Sequence, residues 1–332
     1  MNKLRLDGVC NPVLVYCFRS CHYPDAVLWL DGVFRIYSEA ILSIPNMFRT
    51  SQSLISSRAI LITGCSSGIG YCVARGLKSR GYSVFATARH PKDVARLQQE
   101  GFSSLVLDLN DSQSINNAVQ TVLDQIEGRR LYGLFNNGAY GQPGAIEDIS
   151  RSALRQQFET NLFGTHELTC QVLSIMRQQG EGRIIQNSSV LGMVALPYRG
   201  AYNASKFALE GLTDTLRLEL ANTNIFVSLI EPGPITSRFR ANAYAVFKRY
   251  IDIEHSIHQK KYVKMEQRLL AKEATIPFTL PPISVLKKVI HALESKYPQP
   301  RYYVTFPTYF LAILKRLFPH RTLDWVLRYL PQ

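Results

Sequence analysis

Ser189 is followed thirteen residues later by Tyr202, and Tyr202 four residues later by Lys206, within the stretch NSSVLGMVALPYRGAYNASK that runs from Asn187 to Lys206. If a helix opens near Tyr202, positions i and i+4 share one face, so the phenol and the ammonium project together. A cation beside a phenol favours the phenolate and lowers a pKa that is about 10 in water. Such a tyrosine exchanges a proton near neutral pH, as an acid–base catalyst must. A serine hydroxyl delivered by a neighbouring strand end, from Ser188 or Ser189, would hydrogen-bond a reacting carbonyl oxygen. The remaining sequence has to supply something for that proton chemistry to accompany.

The elements that would position these groups alternate regularly. Short apolar runs at Ala59–Thr63, Ser83–Thr87, Leu105–Leu109, Leu131–Asn136, Arg183–Ser188 and Ile225–Ile230 read as strands, and Tyr302–Phe306 as a seventh. Between them lie helical stretches, among them Ser112–Ile126, a pair of segments joined near Asn161, and residues 202–221. Strands alternating with helices of ten or more residues predict βαβ units and a parallel sheet. The expected fold is an α/β, Rossmann-type doubly wound parallel sheet with helices on both faces. Residues 58–306 read as one dinucleotide-binding catalytic domain, 1–57 as an N-terminal extension, and 307–332 as a C-terminal helical extension.

At the first strand-to-helix junction stands Thr63-Gly64-Cys65-Ser66-Ser67-Gly68-Ile69-Gly70. Glycines allow a tight turn and close approach to a ligand, and the helix N-terminus offers free N–H groups to a pyrophosphate. A glycine-rich turn alone is weak, but at the first βα junction of an alternating chain it predicts a dinucleotide site. An acid at the end of the second strand would bind the adenosine ribose hydroxyls and exclude a 2′-phosphate. Here that end reads Phe85-Ala86-Thr87-Ala88-Arg89, with no acid and a guanidinium suited to a phosphate. The predicted cofactor is therefore NADP(H).

Together the TGxxxGIG turn, Asp108 after the third strand, Asn136-Asn137 after the fourth, and SSV…YNASK resemble the short-chain dehydrogenase/reductase family. The likeness spans roughly Ala59 to Phe239, with intervals of 28 from Asn161 to Ser189 and 13 from Ser189 to Tyr202. FATAR, ALPYRGAY and IEPGPI are most similar to the 17β-hydroxysteroid and retinol dehydrogenase branch. FLAILKRLFP resembles the C-terminal region of a bacterial NADP-dependent aldehyde reductase of that branch. The resemblance implies that Tyr202 donates the proton to the substrate oxygen in reduction and that Ser189 orients the carbonyl. It implies that Lys206 holds the nicotinamide ribose and depresses the tyrosine pKa, and that Asn161 fixes a water relaying protons from Lys206 to solvent. Gly64, Ser66, Gly68, Ile69 and Gly70 would surround the pyrophosphate, Arg89 the 2′-phosphate, and Asp108 with Leu109 the adenine. Asn136 would sit beside the cofactor, and Pro232, Gly233 and Ile235 would line the nicotinamide. The family usually has Asn-Asn-Ala-Gly after the fourth strand, whereas this chain has Asn136-Asn137-Gly138-Ala139. A methyl at Ala139 is expected to shift the nicotinamide ribose slightly.

The implied activity is reduction of a lipophilic aldehyde or ketone to the alcohol. The alternatives are a membrane-surface alcohol dehydrogenase of retinoid or steroid type, and a non-catalytic cofactor-binding sensor, which the intact Asn161, Ser189, Tyr202 and Lys206 set argues against. His166 reads as a packed or surface residue, Cys65 as a small filler, and Glu210, Asp214 and Glu219 as a solvated face or subunit contact. Phe239, Tyr244, Phe247 and Tyr250 either wall an apolar pocket or fill core. No histidine–carboxylate cluster suggests a metal.

A hydrophobic content of 46% with 19% charged residues fits a globular chain. The net charge is +13, and residues 241–332 hold 15 Lys/Arg against 6 Asp/Glu, an excess of nine. That excess suits an anionic surface or a solvated basic face. Tyr309–Tyr329 reads as a basic amphipathic tail that either covers the substrate cleft or lies peripherally on an anionic bilayer. Nucleic acid is not an expected partner, and a homo-oligomer stays open. Six cysteines without a CxxC pair fit a reducing cytoplasm. Ala26–Ile44 has the spacing of an amphipathic helix, and Met47, shortly before the first strand, reads as an alternative start.

Overall fold

The computed structural model describes residues 55–270 and 277–329. The expectations for Ala26–Ile44 and Met47 lie outside the described residues. Seven strands form one parallel sheet in the order β3-β2-β1-β4-β5-β6-β7. They are β1 (Arg58–Ile62), β2 (Ser83–Ala88), β3 (Ser103–Val106), β4 (Arg130–Asn136), β5 (Gly182–Asn187), β6 (Ile225–Glu231) and β7 (Arg301–Tyr303). The central strands are apolar along their length because helices cover both faces; Ala59 to Ile62 are fully buried. On one face α1 (Gly68–Ser79), α2 (Pro91–Gln99) and α9 (Ile283–Glu294) share a core with Ile60 and Ile62. On the other, α3 (Ser112–Gln125), α5 (Gly164–Gln179) and the end of α6 (Gly200–Glu219) pack on Ala59 and Leu61. The doubly wound sheet expected from the sequence is the one observed.

The order reverses between β1 and β4, so the crevice at their carboxyl ends is where an open α/β sheet takes a ligand. Local chemistry sets the helices around it. Asp111 caps α3 by accepting from Gln113 N at 2.9 Å, and Ser150 caps α4 (Arg151–Phe158) by accepting from Ala153 N at 3.2 Å. A π-turn at Glu159–Phe163 joins α4 to α5; it is the join expected near Asn161. At its end Gly164 lies so close to β3's continuation that a Cβ would sit 1.8 Å from the Leu109 carbonyl oxygen. Gly164→Ala is therefore expected to force backbone apart and cost about 1–3 kcal/mol or more. A chemical-denaturation midpoint equal to wild type would contradict that expectation.

Most strand ends shift by a single residue, and three elements depart further from the sequence reading. β3 ends at Val106, because Asp108 N turns aside to the Ser114 hydroxyl at 3.0 Å. β7 is Arg301–Tyr303, because Thr305 already leads into α10 (Phe306–Leu317). The basic tail is two helices, with Pro319 separating α10 from α11 (His320–Arg328). Residues beyond β6 add α7 (Phe239–Tyr250) and α8 (Gln259–Leu270), which pack on each other through Phe247, Tyr262 and Leu269.

Candidate active site

The glycine-rich turn is pinned between two strand ends. Cys65 N donates to Thr87 O at 2.7 Å and Thr63 N to Phe135 O at 3.1 Å. Gly64 and Gly68 sit at φ +70° and +59°, where a Cβ is strained. Gly70 is required by contact instead, since its Cβ would lie 2.3 Å from Gly64 O. The N-terminus of α1 carries no acid in its first turn, and Ser67 makes no side-chain cap. The first amides of α1, at Gly68, Ile69 and Gly70, thus face an anion site uncapped, with Ser66 held above them by Arg96, whose Nη2 donates to Ser66 O at 2.7 Å. A Cβ at Gly68 would meet no neighbour within 4 Å other than Ser237. These residues fit a dinucleotide pyrophosphate by shape and by donor set.

Around that cradle, Arg89 follows β2 with an exposed side chain, its Nε donating to His90 Nε2 at 3.1 Å. Asp108 accepts from Asn110 N at 3.0 Å, which shapes the loop after β3, and Leu109 packs toward Gly138 and Gly164. Asn136 does not present its side chain to the crevice: Nδ2 donates to Thr169 Oγ1 at 2.9 Å in the core. It is Asn137 that reaches the turn, donating from Nδ2 to Thr63 O at 3.0 Å and Gly64 O at 3.2 Å. The inverted Gly138-Ala139 pair suits this packing, since a Cβ on residue 138 would already be tight at 3.2 Å from Leu109 Cδ1. Pro232 O accepts from Val190 N at 2.9 Å, Gly233 has no room for a Cβ beside Thr305, and Ile235 pairs with Leu280. All three follow β6 at the same end of the sheet.

The four residues expected to do chemistry come together here. Ser189 ends the loop after β5 in extended conformation, its Oγ accepting from Leu191 N at 3.1 Å. It also lies near enough to the Tyr202 phenol to favour the ionised form. α6 opens at Gly200, two residues before Tyr202, and carries Lys206 one turn on. Lys206 Nζ donates to Asn187 O at 2.7 Å and lies 5.8 Å from the Tyr202 ring centroid. Asn161, buried in the π-turn, has a fully committed amide: Oδ1 accepts from Tyr140 N at 3.1 Å, while Nδ2 donates to Tyr140 O at 2.9 Å and Ser205 Oγ at 3.1 Å.

The electrostatics correct one expectation. Burial pushes the Tyr202 phenol up to about 12, against the lowering influence of the Ser189 hydroxyl and Arg199. The chain's own groups therefore hold Tyr202 as a protonated phenol at neutral pH, and Lys206 does not lower it as the i, i+4 spacing suggested. Burial also holds the Lys206 ammonium down to about 8, with Glu210 pulling the other way. A protonated phenol beside a serine hydroxyl is a proton donor, which suits reduction of a carbonyl.

Several groups at the site carry no local sequence signal. Asn187 bridges the two halves, holding Lys206 through its carbonyl and donating from Nδ2 to Asn137 Oδ1 at 3.0 Å. Glu210 and Asp214 are not a solvated face. They share Arg301 of β7 with the fully buried Glu231 of β6, Nη2 reaching Asp214 Oδ2 at 2.5 Å and Nη1 contacting both glutamates. Phe239 sets its ring edge-on to Tyr202, centroids 5.4 Å apart, and so walls the site. Phe247 is core, and Tyr244 donates to Glu266 at 3.2 Å. Cys65 is buried, its thiol donating to Ile62 O at 3.3 Å and pushed up to about 12 by that burial, as suits a filler. His166 is exposed beside Cys170.

A parallel sheet with an uncapped glycine turn at its switch point, and a Ser-Tyr-Lys set at the same end, defines a nicotinamide-dependent α/β oxidoreductase. The chain belongs to the short-chain dehydrogenase family: the family profile "short chain dehydrogenase" matches residues 58–245. It is 42% identical over 275 residues to the uncharacterized oxidoreductase YbbO of Escherichia coli K12, covering 82% of this chain and 95% of that one. It is 30% identical over 274 residues to the NADPH-dependent 3-dehydrocapnine reductase of Ornithobacterium rhinotracheale, covering 80% and 95%. The fold also matches a short-chain dehydrogenase structure from Streptomyces avermitilis with a TM-score of 0.65, 24% identity, and coverage of 81% and 93%.

Proposed function

We propose that this protein is an NADP(H)-dependent reductase that converts a lipophilic aldehyde or ketone to the alcohol, with Tyr202 as proton donor. The observation that carries the reading is the buried Tyr202 phenol beside Ser189 and one helical turn before Lys206, at the same end of the sheet as the glycine-rich turn. Bound nicotinamide dinucleotide supplies the hydride; the chain orients the carbonyl and manages the proton. Ser189 holds the carbonyl oxygen within reach of the Tyr202 hydroxyl, and Lys206 brings a positive charge against the developing alkoxide's side of the site. Asn161 fixes the helix join from which protons reach Lys206. Phe239, edge-on to the Tyr202 ring, gives the site an apolar wall, which favours lipophilic substrates.

The NADP(H) choice rests on the β2 end, where Arg89 stands in place of an acid, and a relative that is named as NADPH-dependent supports it. Arg89→Ala is expected to weaken NADPH about tenfold while leaving NADH nearly unchanged, since it removes one charge-assisted contact to a phosphate. Titration of both cofactors by fluorescence checks this, and equal losses would sink the assignment. The activity itself is tested by screening aldehydes and ketones of graded chain length for NADPH oxidation. Turnover of none of them would count against the reading.

A further inference from the structure

The C-terminal helix α10 has two apolar faces, and one of them is covered. Leu311, Ala312 and Leu314 pack inward on Met193 and Val194, beside the segment that links Ser189 to Tyr202. Lys315 fastens this contact, its Nζ donating to Met193 O at 2.7 Å. The opposite face carries Phe306, Phe310, Ile313 and Leu317, spaced three or four residues apart and all exposed, Leu317 by 71%. A soluble helix normally turns charged or polar groups outward here.

The patch continues beyond the helix. Phe278 meets Phe306 in a tilted contact at 5.0 Å between centroids, and Phe306 stacks on Phe310 at 6.0 Å, so three exposed phenylalanines form one run across two chain segments. On α11, Trp325 is 61% exposed and meets the exposed Tyr329 edge-on at 5.2 Å. The same two helices carry Arg316, Arg321 and Arg328, all exposed, and in residues 306–329 the only acid is Asp324. A contiguous apolar patch rimmed by one sign of charge marks an interaction surface.

We propose that this face is a docking surface for an anionic lipid bilayer, on which α10 and α11 lie at the headgroup level. Among the described residues no helix is long and apolar enough to cross a membrane, so the contact is interfacial. Tyrosine and tryptophan suit that depth, being apolar in the ring and polar at one edge. Charge decides against the rival occupant. A second copy meeting this face about a two-fold axis would set the patch against itself and bring Arg316, Arg321 and Arg328 toward their own images. An anionic surface instead attracts each by about 1 kcal/mol. The inner face of the same helix touches the Ser189–Tyr202 segment, so a bilayer-dissolved carbonyl would arrive next to the site; that consequence rests on the reading above, whereas the binding surface does not.

The test is cosedimentation of the full chain with phosphatidylcholine vesicles made with and without phosphatidylglycerol. Wild type is expected to bind the anionic vesicles, and to lose most binding in high salt. Phe310→Ser, Ile313→Ser and Leu317→Ser together are expected to weaken partitioning about tenfold or more. Arg316→Glu with Arg321→Glu, changes at two exposed positions outside the apolar core, is expected to abolish the preference for anionic vesicles. Absence of wild-type binding to anionic vesicles at low salt would overturn the proposal. So would a triple variant that still binds while a wild-type dimer, seen by sedimentation velocity, falls to monomer; that result would assign the face to a second copy. Because binding is read without turnover, an enzyme inactive on every carbonyl but bound to vesicles would fail the proposed activity alone.

Discussion

Tyr202→Phe is expected to lower kcat for carbonyl reduction by about two to four orders of magnitude, the range that a positioned acid–base group supplies. The change removes one oxygen. It keeps the ring that meets Phe239 at 5.4 Å, and Tyr202 is buried at the start of a helix whose core contacts do not use the hydroxyl. Cofactor affinity and the unfolding midpoint should therefore stay close to wild type, which separates a lost proton donor from a damaged fold. Steady-state NADPH oxidation and cofactor titration measure the two independently. Undiminished turnover would remove Tyr202 from the chemistry, and a parallel collapse of cofactor binding would make its role structural. Because burial brings the Lys206 ammonium down to about 8, wild-type reduction should also fade as pH rises through that value and the local positive charge is lost.

The second large effect lies on the far side of the same helix. Arg301→Ala strips the guanidinium from Glu210, Asp214 and Glu231, and Glu231 is 0% exposed. Breaking a buried ion pair by removing one partner costs about 3–5 kcal/mol; with Arg301 itself partly exposed, about 3 kcal/mol at neutral pH is expected. The pH dependence has a definite sign. Burial first, then the neighbouring Glu210, holds the Glu231 carboxyl above the ordinary carboxylate range even with Arg301 present. The folded state then binds more protons than the unfolded one between the ordinary carboxyl pKa and the raised one, so stability from this group falls as pH rises through that window. Without Arg301 the window extends upward. The variant's deficit should therefore be small in mild acid and grow toward alkaline pH. Urea midpoints at two pH values decide it, and a deficit that shrinks as pH rises would refute the account.

This cluster also shows where sequence reasoning stops. Each of its carboxylates lies on an element that was legible: Glu210 and Asp214 on the helix that bears Tyr202, Glu231 at the end of the sixth strand. Their common partner is 91 residues beyond Glu210, on an edge strand of three residues, and no periodicity links them. By contrast, the Gly64–Gly70 turn and the Tyr202–Lys206 pair are local patterns whose chemistry demands fixed spacing, so they could be read directly. The central strands were readable because burial on both faces leaves unbroken apolar runs such as Ala59–Ile62. The pKa of Tyr202 was misjudged because spacing reveals the nearby ammonium but not the desolvation, and here desolvation is the larger influence. Asn136 and Asn137 are adjacent and chemically identical; only the strand's alternation of faces sends one amide into the core and the other to the glycine turn.

That second amide has a wider consequence. Through Asn137 and Asn187 an unbroken series of hydrogen bonds runs from the Gly64 carbonyl to the Lys206 ammonium. On the function proposed above, coenzyme grip and proton management would then be mechanically linked through these bonds. An engineer who alters the loop after β4 to change coenzyme preference would move the lysine as well, and would meet the result as a change in turnover. Exchange at Arg89, which stands outside that series, offers a route to the same goal that leaves the lysine in place.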